Sequence, residues 1–163
     1  MSSLQKNLSN YKFSNVPDGE GLKFAIIVSE WNSEITENLY KGARVTLLKN
    51  NVQESDIFRY NAPGSFELVY CAQYAQSKEF NAVIVIGSII KGETKHFDFI
   101  SNAVANGIKD LNILFEIPVI FSVLTDDNLE QAINRSGGKY GNKGEEAAIA
   151  AVEMSLLNKN IKN

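Results

Sequence analysis

Histidine occurs once in this chain, at position 96, and the residues ahead of it read Gly92-Glu93-Thr94-Lys95. An imidazole with an unperturbed pKa near neutrality can give or take a proton during a reaction. Ala82-Val83-Ile84-Val85-Ile86 is an unbroken apolar run, suited to a parallel strand buried on both faces. Gly87 and Gly92 then bracket Ser88-Ile89-Ile90-Lys91, and Phe97, Ile100, Val104, Ile108 and Leu111 recur at helical spacing. The pattern predicts a strand, a glycine-bearing loop and a helix start in that order. Backbone N–H groups and the positive end of the helix converge there, which favours an anion, and Thr94 adds a hydroxyl donor. A proton carrier beside an anion site outlines a small active site. The plainer account of His96 is a residue satisfied in the first turn of its helix.

Other residues suit the same chemistry. Trp31 could stack on a flat heteroaromatic ligand, although packing over a strand end is the commoner use of a tryptophan. Glu67, after Pro63-Gly64-Ser65, is either a ligand anchor or an ordinary first-turn acid. Arg135, Lys139 and Lys143 lie in a glycine-rich segment that reads as a flexible basic loop, with Arg135 also suited to a helix C-terminus. No G-x-x-x-x-G-K-[ST] or G-x-G-x-x-G pattern occurs, which disfavours nucleoside triphosphates and dinucleotides. A single histidine with no neighbouring cysteine makes a poor metal-ligand set.

The chain has 163 residues, a net charge of −3 and 44% hydrophobic residues, as one domain with a real core would. That charge implies neither a nucleic-acid surface nor an anionic-membrane surface. The lone cysteine, Cys71, reads as a small buried hydrophobe. No apolar run reaches transmembrane length, and the start MSSLQKNLSN lacks a signal-peptide core, so the expected location is cytoplasmic.

The elements that must position these residues alternate. A polar arm over 1–21, with a short strand near Tyr11–Phe13, precedes a strand at Lys23–Ser29 and a helix whose stripe is Ile35, Leu39, Ala43 and Leu47. Asn32 or Ser33 is its expected N-cap. A polar edge strand at Ile57–Asn61, a helix from Leu68 to Ala75, and the central strand and helix follow. Then come Val119–Leu124, a short helix over Asn128–Arg135, and a last helix opened by Asn142 and Glu145, with a frayed tail at 158–163. The alternation predicts an α/β three-layer sandwich around a four-stranded parallel sheet of order 2-1-3-4. Its ligand crevice would lie beyond the carboxyl ends of strands 1 and 3, where the order reverses.

Taken together, Trp31-Asn32 with Ile35-Thr36, Pro63-Gly64-Ser65-Phe66-Glu67-Leu68, Gly92-x-Thr94-x-His96-Phe97-Asp98-Phe99-Ile100, Pro118-Val119-x-Phe121 and Gly141-Asn142-Lys143-Gly144 resemble the motifs of the 6,7-dimethyl-8-ribityllumazine synthase family. The resemblance runs from about Leu22 to Leu157 with every motif in order. It implies a flavodoxin-like fold and an enzyme of riboflavin synthesis that uses no cofactor and no metal. That enzyme condenses 5-amino-6-(D-ribitylamino)uracil with 3,4-dihydroxy-2-butanone 4-phosphate, releasing phosphate and water.

By the same resemblance, Trp31 and Asn32 belong to the pyrimidine site, with Trp31 stacking on the ring. Ser65, Phe66 and Glu67 would hold the ribityl chain, the backbone around Ser88, Ile89 and Ile90 would contact the ring, and Glu93, Thr94 and Arg135 would bind phosphate. His96 would shuttle protons, while Phe121, Arg135 and Lys143 resemble positions supplied by an adjacent subunit. Trp31 stands where many members carry phenylalanine, and Ser122 where glycine is usual, adding a side chain beside the neighbour-facing site.

The family forms pentamers that in some members close into a 60-subunit shell, and the uninterrupted Ser136–Gly144 segment resembles the shell formers. Riboflavin synthase is an implied partner of such a shell. A non-catalytic lumazine or flavin carrier and an archaeal-type riboflavin synthase are the alternatives on this fold. Neither would need Thr94, His96 and Arg135 together.

Overall fold

Two apolar runs, Phe24–Ser29 (β1) and Ala82–Ile90 (β3), lie side by side and parallel, Phe24 opposite Ala82 and Val28 opposite Ile86. Every β1 residue is buried, because helices cover both faces of the sheet. The computed structural model describes residues 16–162. Ile57–Ala62 (β2) pairs with the far side of β1, and Val119–Asp126 (β4) with the far side of β3, giving a parallel sheet of order β2-β1-β3-β4. β2 is largely exposed, as its polar sequence predicts for an edge.

Alternate strand residues feed two cores. Phe24, Ile26, Val28, Ile84 and Ile86 face α1 (Ser33–Lys49) and α5 (Lys143–Lys162), meeting Leu39, Ala43, Ala148 and Val152. Ala25, Ile27, Val83 and Val85 face α2 (Leu68–Gln76) and α3 (His96–Leu114), meeting Leu68, Ala72, Val104 and Ile108. Each fully buried isoleucine contributes roughly 2–3 kcal/mol by leaving water. α1 and α5 approach closely because Gly144 has no side chain. A Cβ there would sit 2.0 Å from the Leu39 carbonyl oxygen. The short α4 (Leu129–Arg135) follows β4, with Asn128 at its N-cap accepting from the Gln131 N–H at 3.0 Å.

Several expectations are corrected. β3 does not end at Gly87 in a glycine loop but runs on to Ile90, with Ser88, Ile89 and Ile90 opposite Leu124, Thr125 and Asp126. Gly87 serves a close approach instead, since a Cβ would lie 2.7 Å from Ser65 Oγ and 3.2 Å from Val123 Cγ1. The segment read as a flexible basic loop is a small antiparallel hairpin, β5 (Ser136–Gly138) and β6 (Gly141–Asn142). Asn142 fixes it by donating to the Asn38 carbonyl at 2.9 Å and accepting from the Gly144 N–H at 2.8 Å.

Residues 158–162, expected as a frayed tail, continue α5. Residues 18–21, expected as part of the arm, are tied down: Gly19 N–H donates to the Asn50 carbonyl at 2.8 Å, and the Asn51 amide donates to Asp18 at 3.2 Å. The strand expected near Tyr11–Phe13 lies outside the described residues. Ser122 is buried on the sheet face of Ile120 and Leu124, opposite the face that Phe121 shares with Val119 and Val123. Its side chain therefore points into the α5 core, not beside Phe121 as the sequence suggested.

Candidate active site

The carboxyl ends of β1 and β3 open onto a cavity of about 500 Å³. Trp31 stands at its mouth, 70% exposed, on the turn between β1 and α1. Ser65, Phe66 and Glu67 line a second wall just before α2, with Ser65 buried and Phe66 exposed. The end of β3 supplies Ser88, Ile89 and Ile90, and the loop into α3 supplies Thr94 and His96. One cavity thus gathers nine of the residues singled out from sequence, contributed by three strand-to-helix connections. Phe97 and Ile100 complete the apolar wall; the periodicity assigned them to the core stripe alone, although their place in the first turn of α3 puts them at the strand ends.

Local sequence explains this arrangement. α3 starts at His96, and the Lys95 side chain in front of it makes no cap bond, so the positive end of a 19-residue helix faces the loop. Thr94 Oγ1 accepts from the His96 N–H at 3.3 Å, fixing the loop backbone next to the imidazole. Asn32 occupies the N-cap position of α1 in the left-handed region, at φ 55° and ψ 49°, which asparagine tolerates. Its side chain makes no cap bond, contrary to the expected capping role. The amide donates instead to the Ser88 carbonyl at 2.9 Å, tying the end of β1 to the end of β3.

Five expected site residues do not line the cavity. Asn32 acts from behind through Ser88. Glu93 is exposed on the α3 loop. Phe121 sits on edge strand β4, 39% exposed. Lys143 opens α5 and pairs with Glu146. Arg135 ends α4, where its Nη1 donates to the Gln131 carbonyl at 3.1 Å and its guanidinium lies 5.4 Å from the centre of the Tyr140 ring.

Within 3.6 Å of Arg135 Nη1 is Asp126, a buried carboxylate that the sequence reading did not single out. Burial pushes its carboxyl above the usual range, Arg135 draws it down, and Asp127 pushes it up again. Cys71 is half-buried, and burial followed by Glu67 raises its thiol, which makes it a poor nucleophile. Among the described residues no cluster of three histidine, cysteine or acidic side chains is arranged to hold a metal. No described helix is long and apolar enough to cross a membrane.

A doubly wound α/β sandwich with a ligand crevice at its topological switch point is the class these features define. The sequence profile of 6,7-dimethyl-8-ribityllumazine synthase matches residues 21–159. A protein of that name from Christiangramia forsetii is 52% identical, with 99% of this chain and 98% of the relative covered. Others, from Flavobacterium johnsoniae and Cytophaga hutchinsonii, are 53% and 54% identical, covering 96% and 94% of this chain and 83% and 97% of theirs. The chain belongs to the 6,7-dimethyl-8-ribityllumazine synthase family.

Proposed function

We propose that the cavity beyond β1 and β3 is one half of the family's active site and that a neighbouring copy supplies the other half. The enzyme is a transferase of riboflavin biosynthesis acting on small-molecule substrates. It condenses 5-amino-6-(D-ribitylamino)uracil with 3,4-dihydroxy-2-butanone 4-phosphate to 6,7-dimethyl-8-ribityllumazine, with loss of phosphate and water. The observation that carries the site assignment is the convergence of Trp31, Ser65–Glu67, the end of β3, Thr94 and His96 on one cavity.

In this reading Trp31 stacks on the pyrimidine, and Ser65, Phe66 and Glu67 hold the ribityl chain. The edge of β3 at Ser88–Ile90 contacts the ring, and Asn32 holds that edge in place. The amine of the uracil attacks the butanone carbonyl, and a first water leaves as the Schiff base forms. Phosphate is eliminated to an enol that becomes a carbonyl, and the second amine closes the ring on that carbonyl with loss of a second water. His96 at the head of α3 moves the protons these steps require. The backbone N–H of Glu93, the Thr94 hydroxyl and the α3 amides receive the phosphate from one side, and Arg135 of the next copy receives it from the other. Most of the rate then comes from positioning and charge, with one proton carrier.

Phe121, Arg135 and Lys143 lie away from their own cavity, which supports their serving a neighbour's. A head-to-tail ring, the proposed pentamer, supplies that neighbour, since heterologous contacts close into rings. The unbroken hairpin from Ser136 supports closure of pentamers into a 60-subunit shell, with riboflavin synthase as a candidate guest. The proposed location is the cytoplasm. Family membership and His96 in the cavity favour the synthase over a carrier or an archaeal-type riboflavin synthase.

The test is turnover of the two substrates, followed by lumazine fluorescence above the uncatalysed background. A phosphate-releasing increase that Arg135→Ala weakens is expected. Tight lumazine binding with no turnover would leave a carrier in its place.

A further inference from the structure

Asp126 closes β4 and has no part in the reaction as described. Its side chain is 5% exposed, and Oδ2 has no hydrogen-bond partner. Oδ1 lies 3.6 Å from Arg135 Nη1, beyond hydrogen-bonding range. Its backbone is fixed, because the carbonyl accepts from the Lys91 N–H at 2.9 Å. Arg135 is oriented without it, through the Gln131 carbonyl and the Tyr140 ring. The contact between Asp126 and Arg135 therefore carries charge but no directional bond, and it operates where water screens poorly.

We infer that Asp126 is a built-in competing anion that weakens the hold of Arg135 on a phosphate group. The inference rests on Arg135 being the phosphate clamp and adds how strong that clamp is. A phosphoryl group reaching Arg135 brings negative charge towards a carboxylate whose Oδ2 has neither solvent nor a hydrogen bond, and like charges in one site oppose each other. Asp126 touches no substrate and acts only through Arg135. The consequence is a clamp of moderate affinity. That suits an enzyme that must let free phosphate go after every turnover, since product departure often limits rate.

The experiment is calorimetric titration of the full chain with inorganic phosphate at fixed pH and ionic strength, together with KM for each substrate. Asp126→Asn and Asp126→Ser should bind phosphate about tenfold more tightly than the parent. They should lower KM for the butanone phosphate in parallel and leave KM for the pyrimidine unchanged, a split that a merely structural role would not produce. In the background of Arg135→Ala the effect should vanish. Unchanged or weaker phosphate binding in either folded variant overturns the inference, as does loss of the fold in both, which would make Asp126 a structural residue. If Arg135→Ala alone binds phosphate like the parent, the clamp itself is wrong, and that failure is read independently of Asp126.

Discussion

The side-chain amide of Asn32 reaches across the head of the sheet to the carbonyl of Ser88, 2.9 Å away and 56 residues distant in sequence. It holds together the two strand ends between which the cavity opens, with Trp31 beside it in the chain and Ile89 and Ile90 beside its acceptor. Two properties of Asn32 are used at once: its tolerance of a left-handed backbone and its amide donor.

Those properties can be separated by substitution. Asn32→Gly keeps the backbone conformation and loses the donor, at a cost of about 1 kcal/mol. Asn32→Ala loses both and should cost about 1–2 kcal/mol more, because a Cβ is crowded at that φ. Urea unfolding checks the order. Both variants should raise KM for the pyrimidine, since Trp31 and the β3 edge lose their tie. Equal stability in the two would show that the left-handed turn is not under the strain assigned to it.

Gly87→Ala should destabilise by about 1–3 kcal/mol, because the added methyl meets Ser65, Leu68 and Val123 in an already filled space. The nearest atom is Ser65 Oγ, so weaker pyrimidine binding should accompany the lower urea midpoint. A fully stable variant with parental KM would mean that α2 can move away from the sheet freely.

His96→Ala should reduce kcat by about a hundredfold without abolishing turnover. The Thr94 hydroxyl accepts from the backbone of residue 96, so the loop should survive and KM for the phosphate substrate should change little. Steady-state kinetics decide this, and parental kcat would remove His96 from proton transfer.

The carboxyl of Asp126 is raised from 3.8, chiefly by burial, so the folded chain binds its proton more tightly than the unfolded chain does. The associated stability is complete below 3.8 and is lost as pH rises through the folded value. Asp126→Asn removes that loss. Its stability relative to the parent should therefore improve from acid towards neutral pH, measured by urea unfolding from about pH 3 to about pH 7. A difference independent of pH would mean the carboxyl is not raised.

The parts of this fold that can be read from sequence are those whose cause is local. β1 and β3 announce themselves as apolar runs because helices cover both faces, and β2 as an edge because its residues are polar. What escapes the sequence has a distant cause. Gly87 in isolation looks like a turn, since a glycine does not reveal whether it bends the chain or admits Ser65. Ser136–Gly144 looks loose because Asn142, which anchors it, bonds to Asn38, 104 residues away. Asn32 looks like a cap because its true acceptor is on another strand. Asp126 carried no signal, as only the fold brings it to Arg135.

In the proposed function a working site takes its cavity from one copy and Arg135 from the next. Glu67→Ala and Arg135→Ala are each impaired on this account, one in each half. Dissociated, mixed in equal amounts and reassembled, they should regain activity approaching about a quarter of the parental sites, since random neighbours restore an intact pair in that fraction. No gain over the average of the two separate variants would place both halves within one chain and contradict the account.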